Sequence, residues 1–139
     1  MASVYNLDKW KQWAENNTRI LGKIKPNGKI GIINGISSNE ILIITIIDAD
    51  NVKLELTENT NSYNNPIVDL LFDIPEEYYE NIFENGKFKE ISKHISDGTI
   101  SGYNMYSEDE LFEKGFTFFM SFIGLSFSGA RHCKTNGAC

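Results

Sequence analysis

The chain has few of the residues from which common active sites are built. Its 139 residues include two cysteines and two histidines, so a four-ligand zinc site would need all of them. Both cysteines and His132 lie in segment 129–139, which we expect to be a flexible tail of a single domain spanning 1–139. A mobile tail cannot hold catalytic geometry, so no metal or cofactor is predicted. A thiol role for Cys133 and Cys139 stays open.

Sequence motifs for phosphate binding and for hydrolysis are also absent. The glycines form neither GxGxxG nor GxxxxGK[ST], and no GxSxG, HExxH or CxxC occurs. His94 is interpreted as a half-exposed surface residue on a helix, without a spaced carboxylate partner. We therefore do not predict an enzyme or any catalytic residue, and a small enzyme without a recognisable motif is kept as an alternative.

Long apolar runs and a signal peptide are missing as well. The longest apolar run, residues 41–47, is interrupted by Thr45, whereas a membrane span needs about 18 apolar residues. The N-terminal sequence MASVYNLDKW has no apolar signal-peptide core. We therefore expect a cytoplasmic protein that does not bind a membrane.

Positive charge is scarce where negative charge is concentrated. The formal net charge is -6, and residues 36–84 hold eleven acidic residues against Lys53 alone. Nucleic-acid binding relies on a concentrated basic face, so no nucleic-acid partner is predicted. An anionic region of this kind favours a cationic partner instead.

Hydrophobic periodicity predicts an α+β fold with a mainly antiparallel sheet of about five strands. A helix is expected over 7–17, where Trp10 and Trp13 recur at helical spacing. This N-terminal helix and the C-terminal helices are expected to pack on the sheet. Alternating and β-branched segments predict two hairpins, the first around a Pro-Asn-Gly turn at 26–28. The predicted strands are 19–25, 29–35, 40–47, 52–57 and 66–74.

Helices are predicted for the second half of the chain. The sequence from Pro75 suits a first helical turn, and Gly86 suits a C-terminal cap. A capping box of Ser107 and Glu110 would open a later helix. Residues 116–123 fit either a helix or a buried strand and belong to the core in both cases. The predicted helices are 75–84, 87–96 and the one that begins after Ser107.

The candidate partner-binding residues surround the predicted helix at 75–84. Glu76, Glu80 and Glu84 recur every four residues and form one stripe, and like charges at this spacing repel by about a few tenths of a kcal/mol. A partner's cations would relieve that repulsion and exposed tyrosines would anchor it, whereas a solvated face without a partner is the alternative. The predicted partner-binding residues are Asp69, Asp73, Glu76, Glu77, Tyr78, Tyr79, Glu80 and Glu84.

The chain resembles the immunity proteins of bacterial toxin–immunity pairs, including those of contact-dependent growth inhibition. It shares with them a small size, an acidic α+β domain, the lack of a catalytic motif and a composition rich in Ile and Asn. The resemblance rests on no motif and assigns no residue a role. It implies an inhibitor that binds a cognate toxin domain, often a basic nuclease, and blocks its active site. A phage-encoded inhibitor of a host defence protein would carry the same kind of surface and is kept as an alternative.

Overall fold

The computed structural model describes residues 4–35, 38–62 and 64–123, and the backbone of residues 131–132. No helix in this part of the chain is long and apolar enough to cross a membrane. The helices there are α1 (Leu7–Asn16), α2 (Thr18–Leu21), α3 (Tyr79–Asn85), α4 (Phe88–Ser96), α5 (Glu108–Glu113) and α6 (Phe116–Phe122), with a 3-10 turn over Glu76–Tyr78 before α3. The strands are β1 (Lys29–Ile33), β2 (Glu40–Ile46), β3 (Val52–Glu58), β4 (Leu70–Asp73), β5 (Ser101–Asn104) and β6 (Arg131–His132).

The strands form one mixed sheet in the order β3-β2-β1-β4-β5-β6. The pairs β1–β2, β2–β3 and β4–β5 are antiparallel, whereas β1–β4 and β5–β6 are parallel. The α+β class and the mainly antiparallel sheet predicted from the sequence are confirmed. The hairpin of β2 and β3 is confirmed too, with Ile44 opposite Leu54.

The helices cover one face of the sheet, where the larger core cluster lies. Leu42 and Ile44 of β2 belong to this cluster, together with Trp10 of α1 and Phe119 of α6. The intervening residues of β2, such as Ile41, belong to a second cluster on the opposite face. β2 is therefore buried on both faces, as its continuous apolar run predicts.

In the connection between β3 and β4, Ile67 and Val68 pack on that opposite face. Because β3 is at the sheet edge and β4 lies beyond β1, residues 59–69 have to cross two strands. The strand predicted at 66–74 is accordingly confined to β4, since its first residues belong to the crossing segment. Val68 of this segment packs with Ile41, and a Cβ at Gly31 would lie 3.0 Å and 2.8 Å from their side chains. The crossing is close only because position 31 has no side chain.

The prediction of a strand at 19–25 is wrong. Part of this segment forms α2, and the Gly22 N–H donates to the Thr18 carbonyl at 2.7 Å to close the helical turn. A strand here would need a free edge of β1, but β2 and β4 occupy both edges. The turn at 26–28 does form, with Asn27 at φ 74°. It leads from the α2 region into β1 and therefore does not join two strands.

The helices of the second half follow the prediction more closely. The helix expected at 75–84 is present as the 3-10 turn and α3, and Gly86 ends it at φ 74°. The expected helix at 87–96 is α4, and the capping box at the start of α5 is formed. The alternative left open for 116–123 is settled as α6, which Gly115 at φ 82° separates from α5.

We expect Gly31→Ala to lower the free energy of unfolding by about 1–3 kcal/mol, because the added methyl group would overlap packed side chains. Urea unfolding followed by tryptophan fluorescence would measure the loss. The nearest atom is Cδ1 of Ile41, which Ile41→Val removes. The double variant should therefore lose less than the sum of the two single losses, and strictly additive losses would contradict this overlap.

Candidate partner-binding surface

The glutamates of the predicted stripe lie on the surface where the 3-10 turn leads into α3. Glu76, Glu77, Glu80 and Glu84 are all exposed, and we call these four residues the acidic ridge. The Asn34 side-chain oxygen accepts the Glu76 N–H at 3.1 Å. This hydrogen bond fixes the start of the ridge to the loop that follows β1.

Aromatic packing supports the ridge from the core side. Tyr79 and Phe83 of α3 contact Trp10 of α1 edge to face, with ring centroids 5.3 Å and 4.8 Å away from it. Trp10 is 0% exposed, and Trp13 lies against it with centroids 5.4 Å apart. Such aromatic pairs contribute about 0.5–1.5 kcal/mol each beyond the area that they bury. The acidic ridge therefore belongs to a helical segment that is firmly packed against α1.

The prediction that Tyr78 or Tyr79 is an exposed anchor is wrong for Tyr79. Tyr79 is 4% exposed, because it lies three residues before the buried Ile82 and shares its face of α3. Burial raises the pKa of the Tyr79 phenol far above its usual value, and the neighbouring Tyr5 adds to the effect. Tyr78 is half-buried, and its ring lies against that of His94 with centroids 4.4 Å apart.

The prediction that Asp69 extends the acidic surface is also wrong. Asp69 is 5% exposed, and its carboxylate accepts the Lys29 N–H at 2.8 Å and pairs with the Lys114 ammonium. Partial burial of Lys114 lowers its pKa, because burial disfavours the charged form. The hydrogen bond to Asp69 and the negative charge of Asp69 outweigh the effect of burial, so the pKa of Lys114 is raised. Asp69 thus connects the start of β1 to the end of α5 as a buried structural carboxylate.

Asp73 has a similar structural role at the other end of β4. Its side chain is half-buried, and Oδ1 accepts the Gly35 N–H at 2.8 Å. Both aspartates satisfy backbone donors near the ends of the parallel pair β1–β4. The fully exposed part of the predicted surface is therefore the four glutamates of the acidic ridge, whereas Asp73 and Tyr78 are half-buried.

One glutamate of the ridge already has a cationic partner within the chain. The Lys9 Nζ lies 3.1 Å from the Glu80 Oε1, and the two side chains are 48% and 68% exposed. Exposed pairs of this kind contribute about 0.2–1 kcal/mol. No other ridge glutamate makes an ion pair within the described ranges, so most of the charge on the ridge is uncompensated.

His94 is buried, which corrects its interpretation as a half-exposed residue. It is 9% exposed, its Nε2 lies 3.2 Å from the Glu90 Oε2, and its Nδ1 lies 2.9 Å from the Thr99 hydroxyl. Glu90 precedes His94 by four residues on α4, so the two side chains share one helix face. That spacing is visible in the sequence and could have identified the partner.

The hydroxyl, imidazole and carboxylate of this cluster are residue types that hydrolases also use. The N–H groups of Gly98, Thr99 and Ile100 all donate to carbonyls of α4, at 3.2, 2.9 and 3.2 Å. None of these three donors is free to stabilise an oxyanion. The contacts of His94 with Glu90, Thr99 and Tyr78 fix the C-terminal end of α4.

Cys133 and Cys139 lie beyond the described residues, as does most of the tail predicted at 129–139. The backbone of His132 pairs with Asn104 where β6 meets β5. Across the residues that the structure describes, no three His, Cys, Asp or Glu side chains are grouped as metal ligands.

We expect Asp69→Ala to lower the free energy of unfolding by about 2–4 kcal/mol, because it removes the partner of a backbone N–H and of Lys114. Glu84→Ala removes an exposed charge of the ridge and should change it by less than about 0.5 kcal/mol. Urea unfolding of both variants would measure the difference. Similar losses would contradict the distinction between a structural aspartate and a surface glutamate.

Comparisons of the chain with family models, with curated proteins and with solved structures gave no match. Among the predicted site residues, the four glutamates of the acidic ridge are the ones that are exposed.

Proposed function

We propose that the chain is an immunity-type inhibitor that binds a basic toxin domain through the acidic ridge and blocks its active site. The observation that supports this proposal is the ridge itself, in which four exposed glutamates occupy one short, well-packed segment. A nuclease holds its substrate by cations that face the phosphates. An anionic surface of fixed shape competes with the substrate for those cations.

The support beneath the ridge favours binding for an entropic reason. Ordering a flexible segment opposes association, and a segment that is already ordered avoids this loss. Trp10 holds α3 through Tyr79 and Phe83, so the glutamates keep their arrangement without a partner. Long-range attraction between the ridge and a basic surface would then accelerate association.

A shallow groove beside the ridge supplies the apolar contact that the buried Tyr79 cannot supply. It lies between α1 and α3, has a volume of about 370 Å³, and is lined by the half-buried Phe83 beside Lys9, Glu80 and Glu84. A stable interface buries about 1,600 Å² in total, which exceeds what four glutamates can provide. We therefore include this groove in the proposed interface.

The central test removes charge from the ridge and keeps its shape. The partner would be captured by pull-down with the wild-type chain, identified by mass spectrometry, and purified for surface plasmon resonance. We expect Glu76→Gln, Glu80→Gln and Glu84→Gln together to slow association about tenfold at low salt and to weaken its salt dependence, because steering is lost. Dissociation should change less, since the apolar contacts remain.

A control variant removes the same charge elsewhere. Glu55, Glu58 and Glu113 are exposed and lie outside the ridge, so their change to Gln should leave the association rate within about twofold of wild type. An unchanged rate in the ridge variant would contradict the proposal and favour a solvated face. Equal slowing in both variants would attribute the effect to net charge and would also contradict it.

A further inference from the structure

A second groove, of opposite charge to the ridge, lies between α2, the start of α4 and α6. Its volume is about 870 Å³, which is within the range of sites that enclose a small ligand or a few side chains. We call it the cationic groove. The lining residues that matter here are Arg19, Lys23, Lys87, Lys89, Phe118 and Phe122.

The charged side chains that line this groove are all cations, and none of them is paired within the described part of the chain. Arg19, Lys23, Lys87 and Lys89 contribute four cations, and no described residue of the lining is acidic. None of the four makes an ion pair among the residues that the structure describes. The groove is thus locally basic in a chain whose formal net charge is -6, and it favours an anionic occupant.

Two phenyl rings add an apolar surface to the same groove. Phe118 and Phe122 lie one turn apart on α6, are 51% and 50% exposed, and stack at 22° with centroids 6.4 Å apart. The Lys23 ammonium lies 5.6 Å from the centre of the Phe118 ring. Adjacent aromatic side chains that remain exposed are typical of surfaces that a partner covers.

We propose that the cationic groove binds a segment of a partner protein that carries acidic and apolar side chains together. The cations would meet its carboxylates, and the stacked phenylalanines would meet its apolar side chains. A nucleic acid is less well matched, because its binding relies on an extended basic face and this groove has four cations. This interaction goes beyond the proposed function, since the groove selects the opposite charge from that selected by the ridge.

The test uses a library of random peptides displayed on phage, selected against the immobilised full-length chain. We expect the selected peptides to be enriched in Asp and Glu together with Leu, Ile, Phe or Trp. The tightest one, synthesised with a fluorescent label, should bind about tenfold more weakly to Lys87→Glu/Lys89→Glu and to Phe118→Ser/Phe122→Ser. Circular dichroism and a thermal melt would establish that both variants are folded.

Matched controls change the same residue types outside the groove. Lys53→Glu/Lys93→Glu reverses two exposed cations, and Phe112→Ser removes a phenylalanine that is 67% exposed. Both should bind the selected peptide as wild type does. The ridge variant with three glutamates changed to Gln should also retain peptide binding, so failure at the groove and failure at the ridge are distinguishable.

Other results would overturn the proposal. One is a selection that yields no peptides or only basic peptides. Another is a set of selected peptides that bind the groove variants as tightly as they bind the wild-type chain. Single-stranded RNA, or vesicles of phosphatidylserine and phosphatidylcholine, would be tested with the same variants. Binding of either probe that depends on Lys87 and Phe118, without any peptide binding, would assign the groove to that ligand. Dimers of the chain alone that the groove variants dissociate would assign it to a second copy.

Discussion

The burial of Trp10 is the interaction on which the described surface depends. Its ring is 0% exposed and contacts Trp13 on its own helix and Tyr79 and Phe83 on α3. Through these contacts, one side chain near the N-terminus determines where residues from the middle of the chain are placed. The aromatic side of α3 packs against Trp10, so the ridge glutamates of this helix lie on the side that faces solvent. Removing that ring would therefore disturb the ridge and the core together.

A buried asparagine relates the ridge to the cationic groove. Asn17 donates to the carbonyls of Trp13 and Gly86 at 2.6 and 3.0 Å, and its side-chain oxygen accepts the Phe88 N–H at 3.3 Å. Gly86 ends α3 and Phe88 begins α4, so Asn17 joins α1 to the junction of the two helices. The acidic ridge lies before this junction and Lys87 and Lys89 lie at or after it. The two charges are therefore separated by a well-fixed turn, and each surface can select its own partner.

Much of the fold could be predicted because it depends on short-range signals. The apolar run of β2, the alternation in β3, the capping box of α5 and the glycine that ends α3 each report on backbone conformation within a few residues. The ridge was predicted for the same reason, since Glu76, Glu80 and Glu84 lie close in sequence. The partnership of His94 with Glu90 was available from the same kind of spacing, and only the burial of the pair depended on the rest of the fold.

The sequence by itself determined the fold class, most elements of the second half, and the concentration of acidic residues near α3. The tertiary structure decided which of those residues are exposed. Asp69 became a structural carboxylate because the parallel pairing of β1 with β4 brings it to the backbone of Lys29, 40 positions away. Residues 19–25 do not form the predicted strand, because β2 and β4 pair with β1 on its two sides and leave it no free edge. Periodicity describes which way a side chain faces along its own element, whereas a free strand edge or an available hydrogen-bond donor exists only once distant segments have packed together.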